Sequence, residues 1–233
     1  MFPQGHGIKQ ETRQYLGAGT RAGVVPLNDT ELHWFFIYKT STIGEWERVN
    51  AERMQKEVAE IHARNHPSSF MEIVRHTDLS TLTWGPLTLR FPWDMIVRNV
   101  CKGAVTVAGD AMHPMTPDLG QGGCSALEDA VTLGRLIGES NIRNGNALVA
   151  EEAAKAIERY IDERRWRSAW LITASFLSGW MQQHGSLRWM KLVMGYIFYK
   201  FLLPRFLKVI EYDCGKLPQL DLSSPVEMEN QPD

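Results

Sequence analysis

The chain is 233 residues long, 44% hydrophobic and 22% charged, with a formal net charge of −2. That length can bury one large core or two small ones, and that charge balance gives no support for a basic nucleic-acid surface. The three cysteines, Cys101, Cys124 and Cys214, are far apart and form no Cys-x-x-Cys pair, which speaks against a metal site or disulfide framework and fits a reducing compartment.

Taken in chain order, "MFPQGHGIKQ" carries neither the apolar core of a secretory signal nor the Arg/Ser-rich pattern of a transit peptide. A cytoplasmic location therefore fits the chain as given. From Arg13 to Thr40, β-branched and aromatic residues dominate. Two apolar runs, around Val24-Val25 and from Trp34 to Tyr38, flank Asn28-Asp29 and predict a hairpin. Residues 45–64 predict an amphipathic helix with Val49, Met54, Val58 and Ile61 on one side, and a shorter helix follows over 68–76. "STLTWGPLTLRFPW" predicts a strand broken by Gly85-Pro86. "GAVTVAGD" predicts a short buried strand with Asp110 at its carboxyl end, residues 121–137 a helix, and residues 147–180 a long one. The segment 187–210 is strongly apolar but interrupted by Arg188, Lys191, Lys200, Arg205 and Lys208, short of the ~20 apolar residues that cross a bilayer. Both a peripheral membrane contact and packing within the chain suit it, and packing is the favoured reading. Pro, Ser and acidic residues from 217 onward predict a disordered tail.

Two stretches invite a cofactor. "GAGTRA", residues 17–22, satisfies the dinucleotide-binding pattern Gly-x-Gly-x-x-Gly/Ala, whose mechanism needs a following helix to hold the pyrophosphate. Here "GVVPLND" follows, so the glycines are expected to serve a bent strand instead. "GDAMHPMTPDLGQGGCSALEDA", residues 109–130, passes the same contextual test. A strand leads in, the prolines forbid helix, and Gly120, Gly122 and Gly123 let backbone approach a planar ligand. The helix that opens after them points free amide N–H groups into the same crevice. From the residues alone two readings stand: a flavin site, with Asp110 accepting sugar hydroxyls, or a loop in which Asp110 is merely a turn residue.

The stretch at 109–130 resembles the Gly-Asp motif of the class A flavin-dependent monooxygenases, typified by p-hydroxybenzoate hydroxylase. It is closer still to the plant subgroup related to zeaxanthin epoxidase and salicylate hydroxylase. "FPQGHG", "WFF", "LTWGPL" and "DCGKLP" are similar to the same subgroup. The resemblance covers almost the whole chain but only the second half of the family's usual length. It implies an α/β (α+β) fold: a partial p-hydroxybenzoate hydroxylase-like FAD-binding fold lacking the N-terminal βαβ dinucleotide-binding unit. The expected parts are a partial substrate domain with an antiparallel sheet over 1–98, the FAD-binding segment over 99–140, C-terminal helices over 141–216, and the tail.

By position, Asp110 resembles the acid that hydrogen-bonds the sugar-like part of FAD, and Pro117 a proline beside the reactive face of the ring. Gly120, Gln121 and Gly122 match the loop that passes alongside the flavin. The amides of Gly123 and Cys124 match donors to its pyrimidine edge. The resemblance implies a monooxygenase reduced by NAD(P)H that hydroxylates or epoxidises aromatic or unsaturated small molecules. The cofactor carries the chemistry, so no catalytic residue is assigned. Without the ADP-binding unit, weak or absent FAD binding by this chain alone is expected, with an N-terminal half in trans as one route to activity. The competing reading is a non-catalytic binding or interaction module. His62 and His66, four apart, have metal-ligand spacing but no third ligand, so a solvated helix face is expected. His113 is read as a loop-packing residue, and at least one of Trp34, Phe35 and Phe36 as core.

Overall fold

The computed structural model describes residues 2–17, 19–39, 50–184, 196, 200 and 211–219. Two compact units emerge, one from residues 1–87 with 177–203, the other from 88–176 with 204–233.

The first unit is built on a three-stranded antiparallel sheet, β1 (Arg13–Gly17), β2 (Thr20–Pro26) and β3 (Leu32–Tyr38), in that order. "GAGTRA" closes the β1–β2 hairpin, with Gly17 paired to Thr20 and Gly19 at φ +74°, so its glycines serve a turn and no helix follows. Asn28 organises the β2–β3 turn, its Oδ1 accepting from the amides of Thr30 and Glu31. The "FPQGHG" segment ties onto that turn through Phe2 N–Thr30 O at 2.8 Å and His6 N–Asp29 O at 3.1 Å. Alternation sends Tyr15, Ala22, Val24, Trp34 and Phe36 to one face, where they meet two helices, α1 (Ala51–Glu57) and α2 (Ser68–Arg75). Phe70 of α2 lies fully buried at the centre, with its ring 5.6–6.2 Å from those of Tyr15, Trp34 and Phe36. Trp34 and Phe36 are therefore core, and Trp34 also donates to Thr77 Oγ1 at 2.8 Å. Across the sheet, Gly23 leaves space for Phe35, whose ring would stand 2.4 Å from an added Cβ.

The expected helix over 45–64 begins, among the described residues, at Ala51. It passes at Val58 into a π-helical turn, closed by Ala63 N–Val58 O at 2.9 Å. The wider turn rotates the apolar face, so Met54 and Val58 stay buried while Ile61, expected beside them, is 60% exposed. Ala59 and Ala63 occupy the inner face in its place. The histidine pair departs from the solvated face expected of it. His62 stacks on Tyr38 at 3.9 Å and bonds Glu57, whereas His66 packs among Tyr15, Phe36 and Phe70. Burial lowers the pKa of His66.

Residues 82–91, the last of the first unit's opening stretch and the first of the second unit, pair in no strand, contrary to expectation. Pro86 has no N–H to donate to a ladder, and a short helix, α3 (Pro92–Val97), follows with Pro92 in its first turn. "GAVTVAGD" also departs from its prediction. It holds half of a two-residue-per-strand hairpin, β4 (Cys101–Lys102) and β5 (Val105–Thr106), turned at Gly103 with φ +57°. Val105 is 71% exposed because so short a ladder brings no second layer over it. Asp110 lies beyond the strand, in a 3-10 turn, Gly109–Ala111. Two long helices follow, close to the two predicted: α4 (Gly122–Arg143) lies in the second unit, and α5 (Ala150–His184) belongs to it as far as Phe176. Their core joins Leu136, Ala156, Tyr160, Ile161, Ala169 and Ile172 with Met95 and Met112. Residues 211–219 run along α4, where a Cβ on Gly138 would stand 2.8 Å from Pro218. Of the tail expected from 217, residues 217–219 are described. The apolar segment 187–210 lies outside the described residues except for Tyr196 and Lys200. Among the described residues no helix is long and apolar enough to cross a membrane.

Candidate functional site

The segment between β5 and α4 is two short turns joined by a buried bend. Gly109–Ala111 and Pro117–Leu119 are 3-10 turns, each requiring glycine at one end: Gly109 has φ +58° and Gly120 φ +65°. Gln121 then caps α4 by its backbone, its own side chain making no cap hydrogen bond. The first intrahelical bond there is Ser125 N–Gln121 O at 2.8 Å. The amides of Gly122, Gly123 and Cys124 thus form the open end of a 22-residue helix, where the dipole favours negative charge.

The residues singled out in the sequence fall on the outer side of this segment. Asp110, Pro117, Gly120, Gly123 and Cys124 are exposed, and Gln121 and Gly122 are half-buried. An added Cβ at Gly120 or Gly123 would meet nothing within 4 Å, so the glycines border open space rather than packed protein. Such a rim fits a planar ring with acceptor atoms along one edge. Asp110 lies on the same segment, at its far end.

The inner side is anchored throughout. Met112 and His113 are fully buried. Arg90 donates from Nη1 to Met112 O at 2.6 Å and from its amide to Pro114 O at 3.0 Å. Thr116 bonds Ser175, and Tyr160 donates to Met112 Sδ at 3.4 Å. Asp129, about two turns into α4, does most of the tying. Its Oδ2 accepts from the Gly109 amide at 2.8 Å and meets His113 Nε2 at 2.6 Å, while Oδ1 accepts from Arg164 Nε at 2.7 Å.

Arg164 of α5 is fully buried and reaches three parts of α4. Besides Asp129 it donates to Glu128 Oε2 at 2.6 Å, and to Ser125 O and Oγ at 3.1 and 2.9 Å. Arg167 makes a second pair with Glu128. Burial pushes the Asp129 carboxyl up, but the bonds from His113 and the Gly109 amide, with the charge of Arg164, outweigh it and hold the pKa below the ordinary value. Glu128 is likewise held low, the bonds from Arg167 and Arg164 outweighing burial.

His113 is loop packing, as the sequence suggests. Asp129, Arg164, Glu128 and Arg167 escape the sequence reading, although a signal exists. Two adjacent acids, Glu128-Asp129, sit in a helix that must bury one face, and "ERRWR" at 163–167 supplies cations; buried charges require partners. Among the described residues no group of three or more His, Cys, Asp or Glu side chains has metal-binding geometry.

The fold is part of the FAD-binding fold of the class A monooxygenases. Residues 7–174 match the model of the FAD binding domain family, and the chain belongs to that family, whose cofactor is FAD. Among curated relatives, the chain is similar to Monooxygenase 2 of Arabidopsis thaliana, 37% identical over 93% of this chain and 54% of that protein. Monooxygenase 1 of the same plant is 31% identical, with the same coverage. Among solved structures, Klebsiella pneumoniae HpxO complexed with FAD and uric acid aligns with a TM-score of 0.62 at 20% identity, over 84% of this chain and 46% of that one. The chain spans about half the length of the curated relatives it matches.

Proposed function

We propose that this chain forms one wall of the flavin site of an NAD(P)H-using monooxygenase acting on aromatic or unsaturated small molecules. The observation that carries the reading is the open, glycine-lined start of α4, fixed from behind by a buried ion network. Bound there, FAD supplies the redox chemistry and the activation of O2. The chain's own groups bind and orient it. Asp110 would accept hydrogen bonds from the ribityl hydroxyls, Pro117 would border the ring, and Gly120, Gln121 and Gly122 would line it. The amides of Gly123 and Cys124 would donate to the electron-rich edge of the ring, a role the helix dipole would reinforce. A small planar substrate is consistent with the urate hydroxylases among the relatives.

FAD titration of the purified chain tests this reading, following flavin fluorescence for the native protein and for Asp110→Ala. Weak, saturable binding that Asp110→Ala removes is the expected result. A native chain that takes up no flavin at any concentration would instead favour a non-catalytic binding module, and flavin uptake indifferent to Asp110 would move the site elsewhere.

A further inference from the structure

The "DCGKLP" stretch and the residue before it, Tyr212, have no part in the flavin reading, yet they lie directly over its supporting network. The Tyr212 ring stands 4.3 Å from the Arg167 guanidinium carbon and 5.2 Å from that of Arg164. Its hydroxyl donates to Glu163 Oε1 at 2.9 Å. Two residues on, Cys214 O accepts from Arg135 Nε at 2.9 Å, and Arg135 in turn holds Glu163 at 2.8 Å. Gly215, at φ +75°, lets the strap turn against Arg135, whose side chain would stand 3.0 Å from any Cβ placed there. Residues 212–215 therefore roof a charged layer that would otherwise meet solvent.

Beneath that roof one guanidinium serves both ends of the flavin-facing segment. Through Asp129, Arg164 reaches the Gly109 amide and His113; through Ser125 O and Oγ, it grips the first hydrogen-bonded turn of α4. We infer that Arg164, shielded by Tyr212, is a positioning residue that fixes the Gly109–His113 bend relative to the donor amides of Gly122–Cys124. This rests on the flavin reading only for its consequence, which is FAD affinity. The mechanical part stands without it. A guanidinium screened from water by an aromatic face interacts more strongly with its carboxylates than one that is hydrated. Removing the ring should loosen the bend without touching any residue that borders the cofactor.

The test uses Tyr212→Leu, Tyr212→Phe and Arg164→Lys in the full 233-residue chain. Amide hydrogen exchange is read on peptides covering 109–125 and, as internal control, 13–38. Tyr212→Leu and Arg164→Lys should accelerate exchange in 109–125 and leave the sheet unchanged, while Tyr212→Phe, which keeps the ring over both guanidinium groups, should restore the native rate. Acceleration spread equally over both regions, or none in 109–125, would overturn the proposal. Should Arg164→Lys fail to fold, Tyr212→Leu alone decides. In FAD titration, Tyr212→Leu should weaken binding about tenfold relative to Tyr212→Phe. If the native chain binds no FAD, the flavin reading fails while the exchange comparison still judges the positioning role.

Discussion

The two units of this chain are held together by different physics. Around Phe70 the first unit packs rings and aliphatic side chains against one face of a sheet, and its stability is a matter of shape and buried apolar area. Behind the Gly-Asp segment, the second unit places Asp129, Arg164 and His113 out of water entirely and joins His113 and Arg164 through the two oxygens of Asp129, leaving only His113 Nδ1 of the three side chains without a partner. Buried charges are a poor source of net stability, but they are intolerant of misplacement. A site that must hold backbone amides in register gains from that intolerance. The aromatic core can adjust to a changed volume, whereas the ion network is complete or broken.

The sharpest way to separate the two is to break each. Asp129→Ala leaves a buried Arg164 without its central partner and should destabilise the second unit by about 3–5 kcal/mol, seen in urea unfolding with loss of protection over 109–125. Phe70→Ala should be of similar size, about 3–5 kcal/mol, with the loss of protection instead over 13–38 and 51–75. Gly109→Ala sets a side chain at φ +58° and should cost about 1–2 kcal/mol, again confined to the second unit. Acid distinguishes them without mutation. Asp129 and Glu128 have folded-state pKa values below their unfolded ones, so the stability they add is complete above the ordinary carboxylate range and is lost as pH falls through the folded values. Below about pH 4 the 109–125 segment should open before the sheet does, measurable by exchange across a pH series.

The same contrast explains what the sequence made legible. The β2–β3 hairpin, the helix at 68–75 and the two long helices follow from periodicity and turn residues, because local pattern and burial agree there, whereas "GAGTRA", expected as a bent strand, closes a hairpin onto β1. Glycines that need positive φ mark the Gly-Asp segment equally plainly. The π turn at Val58 was illegible because a single widened turn leaves composition unchanged while rotating Ile61 outward. The strand before Asp110 was overread, since an apolar run shows propensity and not whether neighbours cover it. The network behind the site was missed because its members lie 16 to 39 residues apart, and pairing across two helices is set by packing. Tyr212 is more remote still from Asp129 in sequence.

The measurement closest to the central claim is amide exchange of the native chain with and without saturating FAD. If the start of α4 faces the flavin ring, FAD will slow exchange over 109–125, most strongly at Gly122, Gly123 and Cys124, and leave the 13–38 sheet as it was. Protection that falls elsewhere, with the α4 amides exchanging as fast as in the free chain, would contradict the account.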